Sequence, residues 1–404
     1  MEEELLSGVR DVFIEGDYMW VISDNFNCLF GYDFLEQRLD LITVFPETVG
    51  TQNFAFHSLL KVGNEIYLFP LTANEIYIFD LLKKEFSTIN VPFHGTNNVQ
   101  GVVSGEYLYC LKRFPDELIR IHLDTKKADI FTAGTPQGMD EAAERQVYRN
   151  YLEPCLYQGK IVWAGNGNVL TAFDMETERF SMERLEEVSR EKIERTKAYY
   201  QGGLEDCIIG AKAFKGILWI FSFDGRIYQY DDRLHKVRPV QTMNHRHNNV
   251  GKSTPALWAN LIPLRDELWF VPQYKRKCVR YNDKSDLYDE CMDEYERKFS
   301  ESERIEFSFC KAFGDEKIIL YSYYESCFFI LDAVNGTVEK KKVMVPVKRF
   351  LQENLLFRSM KIRNNTYMFD DLQFFFQDTI LLSKRQKTVE KLIGDKIFEA
   401  IKQC

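Results

Sequence analysis

The stretch GNEIYLFPLTANEIYIFD, Gly63–Asp80, reads as a hairpin. A glycine turn opens it, an apolar strand runs around Ile66–Phe69, a short loop follows Pro70, and a second strand runs around Ile76–Phe79. The apolar–polar pattern has the period of a strand, not of a helix. Tyr67 precedes Asp80 by thirteen positions, and the aromatic–Asp pair recurs along the chain. Trp20 precedes Asp33 by thirteen, Tyr109 precedes Asp124 by fifteen, Trp163 precedes Asp174 by eleven, and Trp219 precedes Asp231 by twelve. Two copies depart from the pair: Trp269 precedes Asn282 by thirteen, and Ile319 takes the aromatic place thirteen before Asp332.

Upstream of each pair stands a turn signal: Gly16, Gly63, Gly105, Gly159, Gly216, the Arg265–Asp266 pair and Gly314. Before each turn lies a further apolar run, such as FAFHSLLKV (54–62). After each Asp a few polar residues lead into another short strand, such as KKEFSTI (83–89). Four strands per copy and seven copies predict an all-β chain: a seven-bladed β-propeller of four-stranded antiparallel blades over residues 5–345. One such sheet cannot bury both faces alone, and radial stacking buries each against the next. The recurring aromatic residue would fill the space between blades. The recurring Asp suits a turn start, where its carboxylate accepts backbone amides.

In blade length, turn glycine and second-strand aromatic residue, the chain resembles the kelch-like branch of the β-propellers. The Gly-Gly pair of that repeat is missing at its usual place, and Gly202-Gly203 lies elsewhere. The Gly-His and Trp-Asp signatures of WD40 repeats are absent. The resemblance implies a fold. It implies no activity, because propellers host enzymes, lectins and scaffolds alike.

Three segments interrupt the repeat. Residues 138–152 and 181–200 are predicted as inter-blade helices, and 284–303, KSDLYDECMDEYERKFSESE, is a third charged insertion. Residues 346–404 are expected to form a C-terminal helical extension packed on the propeller. Within it, Val389, Leu392, Ile393, Ile397 and Ile401 share one helical stripe. Such a helix could also dock a partner.

Composition narrows the function. The 404 residues carry a formal charge of −9, against the basic surface that nucleic-acid binding requires. No apolar run spans a membrane, and the N-terminus has no secretory pattern. Nine Cys at irregular spacings, with Cys28, Cys110, Cys207 and Cys327 in or beside apolar strands, read as reduced core thiols. A cytoplasmic monomer is expected.

No catalytic signature outweighs its structural reading. Asp224-Gly225 in SFDGRIY reads as a hairpin turn and not as a sialidase box, which needs a spaced Gly and a closing Trp. His245 and His247 alternate on an extended segment, but no ligand set completes a metal site nearby in sequence. Neither a metal nor a cofactor is therefore expected. The fold offers a better guide. Residues just after each second strand, with others that precede or begin first strands, approach one mouth of a propeller. These are Asn25, His57, Arg113, Asn166, Tyr200, Asp224, His245, His247, Tyr274 and Tyr323. Mixed aromatic, amide and cationic groups suit peptides and sugars. The expected function is a non-catalytic binding or scaffold propeller for a protein, peptide or glycan. The alternative is a propeller enzyme acting on a carbohydrate or small metabolite with residues from several blades.

Overall fold

The computed structural model describes residues 4–6, 9–23, 28–36, 38–46, 55–91, 99–113, 116–132, 154–164, 169–185, 208–222, 227–240, 258–272, 278–282, 287–291, 307–322, 327–342 and 344–346. Among them lie seven four-stranded antiparallel sheets, each built from four consecutive strands in sequence order. These are the blades of a seven-bladed β-propeller: residues 9–44, 56–89, 100–132, 155–184, 208–239, 258–291 and 307–342 for blades 1 to 7. Two compact units divide them. Residues 1–99 with 294–404 hold blades 7, 1 and 2, and residues 100–293 hold blades 3 to 6. No helix among the described residues is long and apolar enough to cross a membrane.

No blade borrows a strand from the far end of the chain. Glu4–Leu6 instead pairs antiparallel with Met344–Pro346, Leu5 opposite Val345, as a separate two-stranded sheet.

The core lies between blades. Val21 and Phe30 of blade 1 pack with Ile319 and Tyr321 of blade 7. On the other face, Trp20 and Leu29 pack with Leu59 and Leu68 of blade 2. In the second unit, Tyr109 and Leu111 of blade 3 meet Ile161 and Phe173 of blade 4, and Trp219 of blade 5 meets Phe270 of blade 6. Trp219, Trp269 and Tyr67 are fully buried, and each contributes roughly 2–3 kcal/mol through area removed from water. Cys28, Cys110 and Cys327 are buried free thiols, and burial pushes Cys28 and Cys110 well above the ordinary thiol range. Cys207 lies outside the described residues.

Five of the recurring Asp residues hold a turn between the third and fourth strands. Asp80 Oδ1 accepts the amides of Leu82 and Lys83 at 2.9 and 3.0 Å. Asp33, Asp174, Asp231 and Asp332 accept the second and third following amides in the same way. The next amide after the Asp ties this turn to the one between the first two strands: Leu81 N–H donates to Asn64 O at 2.9 Å, and Phe34 N–H to Asp17 O at 3.0 Å.

The structure corrects several sequence expectations. In blade 3 the turn residue is His122, thirteen after Tyr109, and not Asp124. The His122 ring Nδ1 faces the amides of Asp124 and Thr125 at 3.2 and 3.4 Å. In blade 4 the place equivalent to Tyr67 belongs to Val162, because Lys160 pairs with Asp174 as Glu65 pairs with Asp80. Trp163 therefore points to the opposite face, into the cluster shared with blade 3. Ser181–Arg184 belongs to the fourth strand of blade 4, Arg179–Arg184, and not to a helix. Leu287–Cys291 is the fourth strand of blade 6, inside the blade and not in an insertion. The other predicted helical residues, 138–152, 186–200 and the tail, lie outside the described residues.

Candidate functional site at the loop end of the blades

The two ends of each blade differ. The end carrying the short turns between strands one and two and between strands three and four is closed by the hydrogen bonds above. The opposite end carries the connections between strands two and three, and there the first strands are irregular. Five of them shift register near their start: between Val9 and Asp11, Phe56 and Ser58, Ile208 and Gly210, Trp258 and Asn260, and Phe307 and Phe309. A bulge inserts one residue and re-aims the side chains beyond it.

His57 is the inserted residue of blade 2 and is half-buried. Arg113 ends the second strand of blade 3, Tyr107–Arg113, opposite Asp116. Each thus lies at the loop end of its own blade. Asn25, Asn166, Tyr200, Asp224, His245, His247, Tyr274 and Tyr323 lie outside the described residues.

Sequence reading missed the polar groups that line this end. Asp11, just past the blade 1 bulge, is buried. Its Oδ2 accepts Leu59 N–H of blade 2 at 3.0 Å, and its Oδ1 pairs with Lys311 Nζ of blade 7 at 2.7 Å. Lys311 also donates to Val12 O at 2.8 Å. One carboxylate therefore joins three blades of its unit. Ser58, at the same place in blade 2, donates its hydroxyl to Val99 O at 2.6 Å. In blade 3 the buried Lys112, beside Arg113, pairs with Glu117 across the sheet at 2.8 Å. Ser23 and Ser322, the last residues of their second strands, are buried at the corresponding places in blades 1 and 7. The available signal was a charge inside an apolar strand, VRDVFIE (9–15). The bulge hides it, because a one-residue insertion reverses which positions face the core.

A second polar cluster lies at the turn end, on the seam of blades 4 and 5. Tyr157 Oη donates to Asp232 Oδ2, and Gln158 Nε2 donates to the same oxygen at 2.8 Å. Tyr230 Oη donates to Glu183 Oε2, with His235 Nδ1 3.2 Å from the phenol oxygen. Burial, reinforced by Asp232 and Glu183 respectively, raises the pKa of both phenols. They stay neutral donors and hold the seam. Nearby, Arg120 of blade 3 reaches Glu178 of blade 4, also pairs with Asp129 at 2.8 Å, and lies 5.0 Å from the ring centroids of Tyr107 and Phe131. Among the described residues no group of three or more His, Cys, Asp or Glu is placed to hold a metal ion.

No protein-family model matches the chain, and no curated protein matches it in sequence. Solved structures match its fold. Virginiamycin B lyase from Staphylococcus aureus, solved as an inactive variant with quinupristin, is 12% identical with a TM-score of 0.55, over 80% of this chain and 96% of that one. YCF48 bound to D1 peptide is 11% identical with a TM-score of 0.53, over 80% and 92%. The Cps50 (Swd1) β-propeller domain from Myceliophteria thermophila is 8% identical with a TM-score of 0.50, over 84% and 99%. Identities this low speak for the fold alone.

Proposed function

We propose that the chain is a non-catalytic binding propeller of kelch-like type, a cytoplasmic monomer, whose loop end takes a protein or peptide ligand. One observation carries this reading: the ends of the blades use their polar residues differently. At the turn end the repeated Asp carboxylates are spent on backbone amides. At the loop end, His57 stands in the blade 2 bulge, and the second strand of blade 3 ends with the Lys112–Glu117 pair and Arg113. Imidazole, guanidinium and carboxylate groups there suit peptide carbonyls, amides and charged side chains. YCF48, of similar fold, was solved with a bound peptide, which favours a peptide over a glycan.

The test is a peptide display selection on the purified protein, followed by titration of the selected peptides against the variants His57→Ala and Arg113→Ala. The proposal expects each to weaken binding about tenfold or more, as loss of a charge-assisted contact does. Unchanged affinity in both variants, or release of a cleaved or rearranged product from a bound compound, would refute it.

A further inference from the structure

Blade 6 brings two cysteines to opposite places across its outer hairpin. Its third strand, Cys278–Asn282, begins with one, and its fourth strand, Leu287–Cys291, ends with the other. The antiparallel register runs from Asn282 opposite Leu287, through Tyr281 opposite Tyr288 and Arg280 opposite Asp289, to Cys278 opposite Cys291. Directly opposite positions of an antiparallel pair share one face of the sheet, with Cα atoms about 4.5 or about 5.5 Å apart. A disulfide spans roughly 4.4–6.8 Å between Cα atoms, so either kind of pair lies within its reach.

Other cysteines of the described strands stand opposite different residue types. Cys28 and Cys327 begin the third strands of blades 1 and 7, as Cys278 begins that of blade 6, and all three are buried. Opposite the first two stand Val44 and Lys342. Cys110 stands opposite Gly101 and Ile119, Cys155 opposite Val162, and Cys310 opposite Leu320. An apolar residue at the start of the third strand is ordinary packing, and Ile76, Val169 and Ile227 serve it in blades 2, 4 and 5. Packing gives no reason for a second cysteine across from it. The place of the pair also gives oxidants a way in. Val279 and Tyr281 pack toward Trp219 of blade 5, and strand alternation puts Cys278 on the other face, where it is buried. The fourth strand is the edge of its sheet, and Cys291 is its last residue. Such strand ends open locally far more often than the whole fold does, and each opening exposes groups beneath them.

We propose that Cys278 and Cys291 form a redox-responsive pair, closed to a disulfide by a hydroperoxide and reopened by a dithiol reductant. The thiolate of one cysteine attacks the peroxide. An S–O bond forms as the O–O bond breaks, and the departing hydroxide takes up a proton to become water. The thiolate of the other cysteine then attacks the sulfenic sulfur. The S–S bond forms as the S–O bond breaks, and a second water leaves. Two thiols are oxidised, and one hydrogen peroxide is reduced to two waters. Closure ties the end of the outer strand to the start of the third strand, directly after residues 273–277 that connect the second strand to it. The pair acts in this way whatever the loop end binds.

The test treats the folded full chain with stoichiometric hydrogen peroxide, blocks the remaining thiols with an alkylating agent and maps tryptic peptides, unreduced, by mass spectrometry. Cleavage after Lys277, Arg280, Lys284 and Arg297 puts the two cysteines on separate peptides, 278–280 and 285–297. The expected product is these two peptides joined by a disulfide. It is lost on treatment with dithiothreitol and absent from Cys278→Ala and from Cys291→Ala. Amide exchange in 287–291 is expected to slow by about tenfold or more on oxidation of the unaltered chain, and in neither variant. Alkylated thiols at both positions after oxidation, sulfinic acid at either, or disulfides to other cysteines or to a second copy in place of this one would overturn the inference. So would a linked pair that forms only in the urea-unfolded chain, or exchange in 287–291 that oxidation leaves unchanged.

Discussion

The two ends of the blades teach different lessons about how this chain uses its polar residues. At the turn end one device is repeated: a carboxylate takes two amides of its own turn, and the next amide locks onto the neighbouring turn. The carboxylate's partners lie within three residues, so the device can be read in any one blade. At the loop end the polar contacts join residues far apart in sequence. Asp11 meets Leu59 and Lys311, and Ser58 meets Val99. They exist only because a bulge turns the side chain after it toward the adjoining blade. The first end encodes the repeat, and the second encodes what distinguishes one blade from another.

The sharpest way to break this contrast is Asp11→Ala. It removes the charge partner of Lys311 and the acceptor of the Leu59 amide, and it is expected to cost about 3 kcal/mol in urea denaturation. The carboxylate at any single turn serves only groups of its own turn, and its replacement by Asn should cost far less. A loss at Asp11 no larger than at Asp80 would mean that the bulge contacts contribute nothing special. Next in size is Gly31→Ala in the third strand of blade 1. A Cβ there would lie 1.7 Å from Tyr18 Oη, with the rigid ring atoms behind it at 2.5 and 2.9 Å. The crowding is expected to cost roughly 1–3 kcal/mol, relieved in part by Tyr18→Ala in the same chain.

The turn end also predicts a pH dependence. The Lys83 side chain and the Lys83 amide hold Asp80 below the ordinary carboxylate range. The Thr177 amide does so for Asp174, and the Asn335 amide for Asp332. The unfolded chain therefore takes up protons first as pH falls. The stabilisation is present above the unfolded pKa, about 4, and is lost as pH drops through the lower folded values. Replacing all three with Asn is expected to flatten the fall in stability below about pH 4. An unaltered acid limb would remove these carboxylates from the account.

The smallest effect is expected at Arg265, which holds φ 50° in the first turn of blade 6, where Gly16, Gly63 and Gly105 hold 57–59°. Arg265→Gly is expected to gain up to about 1 kcal/mol by relieving a conformation that disfavours a Cβ. A loss in that variant would show that the arginine side chain outweighs the backbone cost.

Most of the blade architecture was legible because the aromatic residue and the turn Asp lie close together in sequence. The errors came where chemistry substituted for the motif. His122 takes the place of Asp because a ring nitrogen can face the same amides. Val162 fills the aromatic position while the neighbouring Trp163 points the other way. Leu287–Cys291 read as part of a charged insertion because it carries Asp289 and Glu290 within a longer run of charged residues. Of the candidate site, His57 stands in a first-strand bulge and Arg113 ends a second strand. Asp11, Ser58 and Lys311 were not legible, since a bulge changes strand parity without leaving a mark in composition.

The central claim is that binding belongs to the loop end. It is tested most directly by titrating a selected peptide against two variants of equal stability, His57→Ala with Arg113→Ala at the loop end, and Leu35→Asp with Leu82→Asp at the turn end. The account predicts that affinity collapses in the first pair and is unchanged in the second. Affinity lost only in the turn-end pair would contradict it.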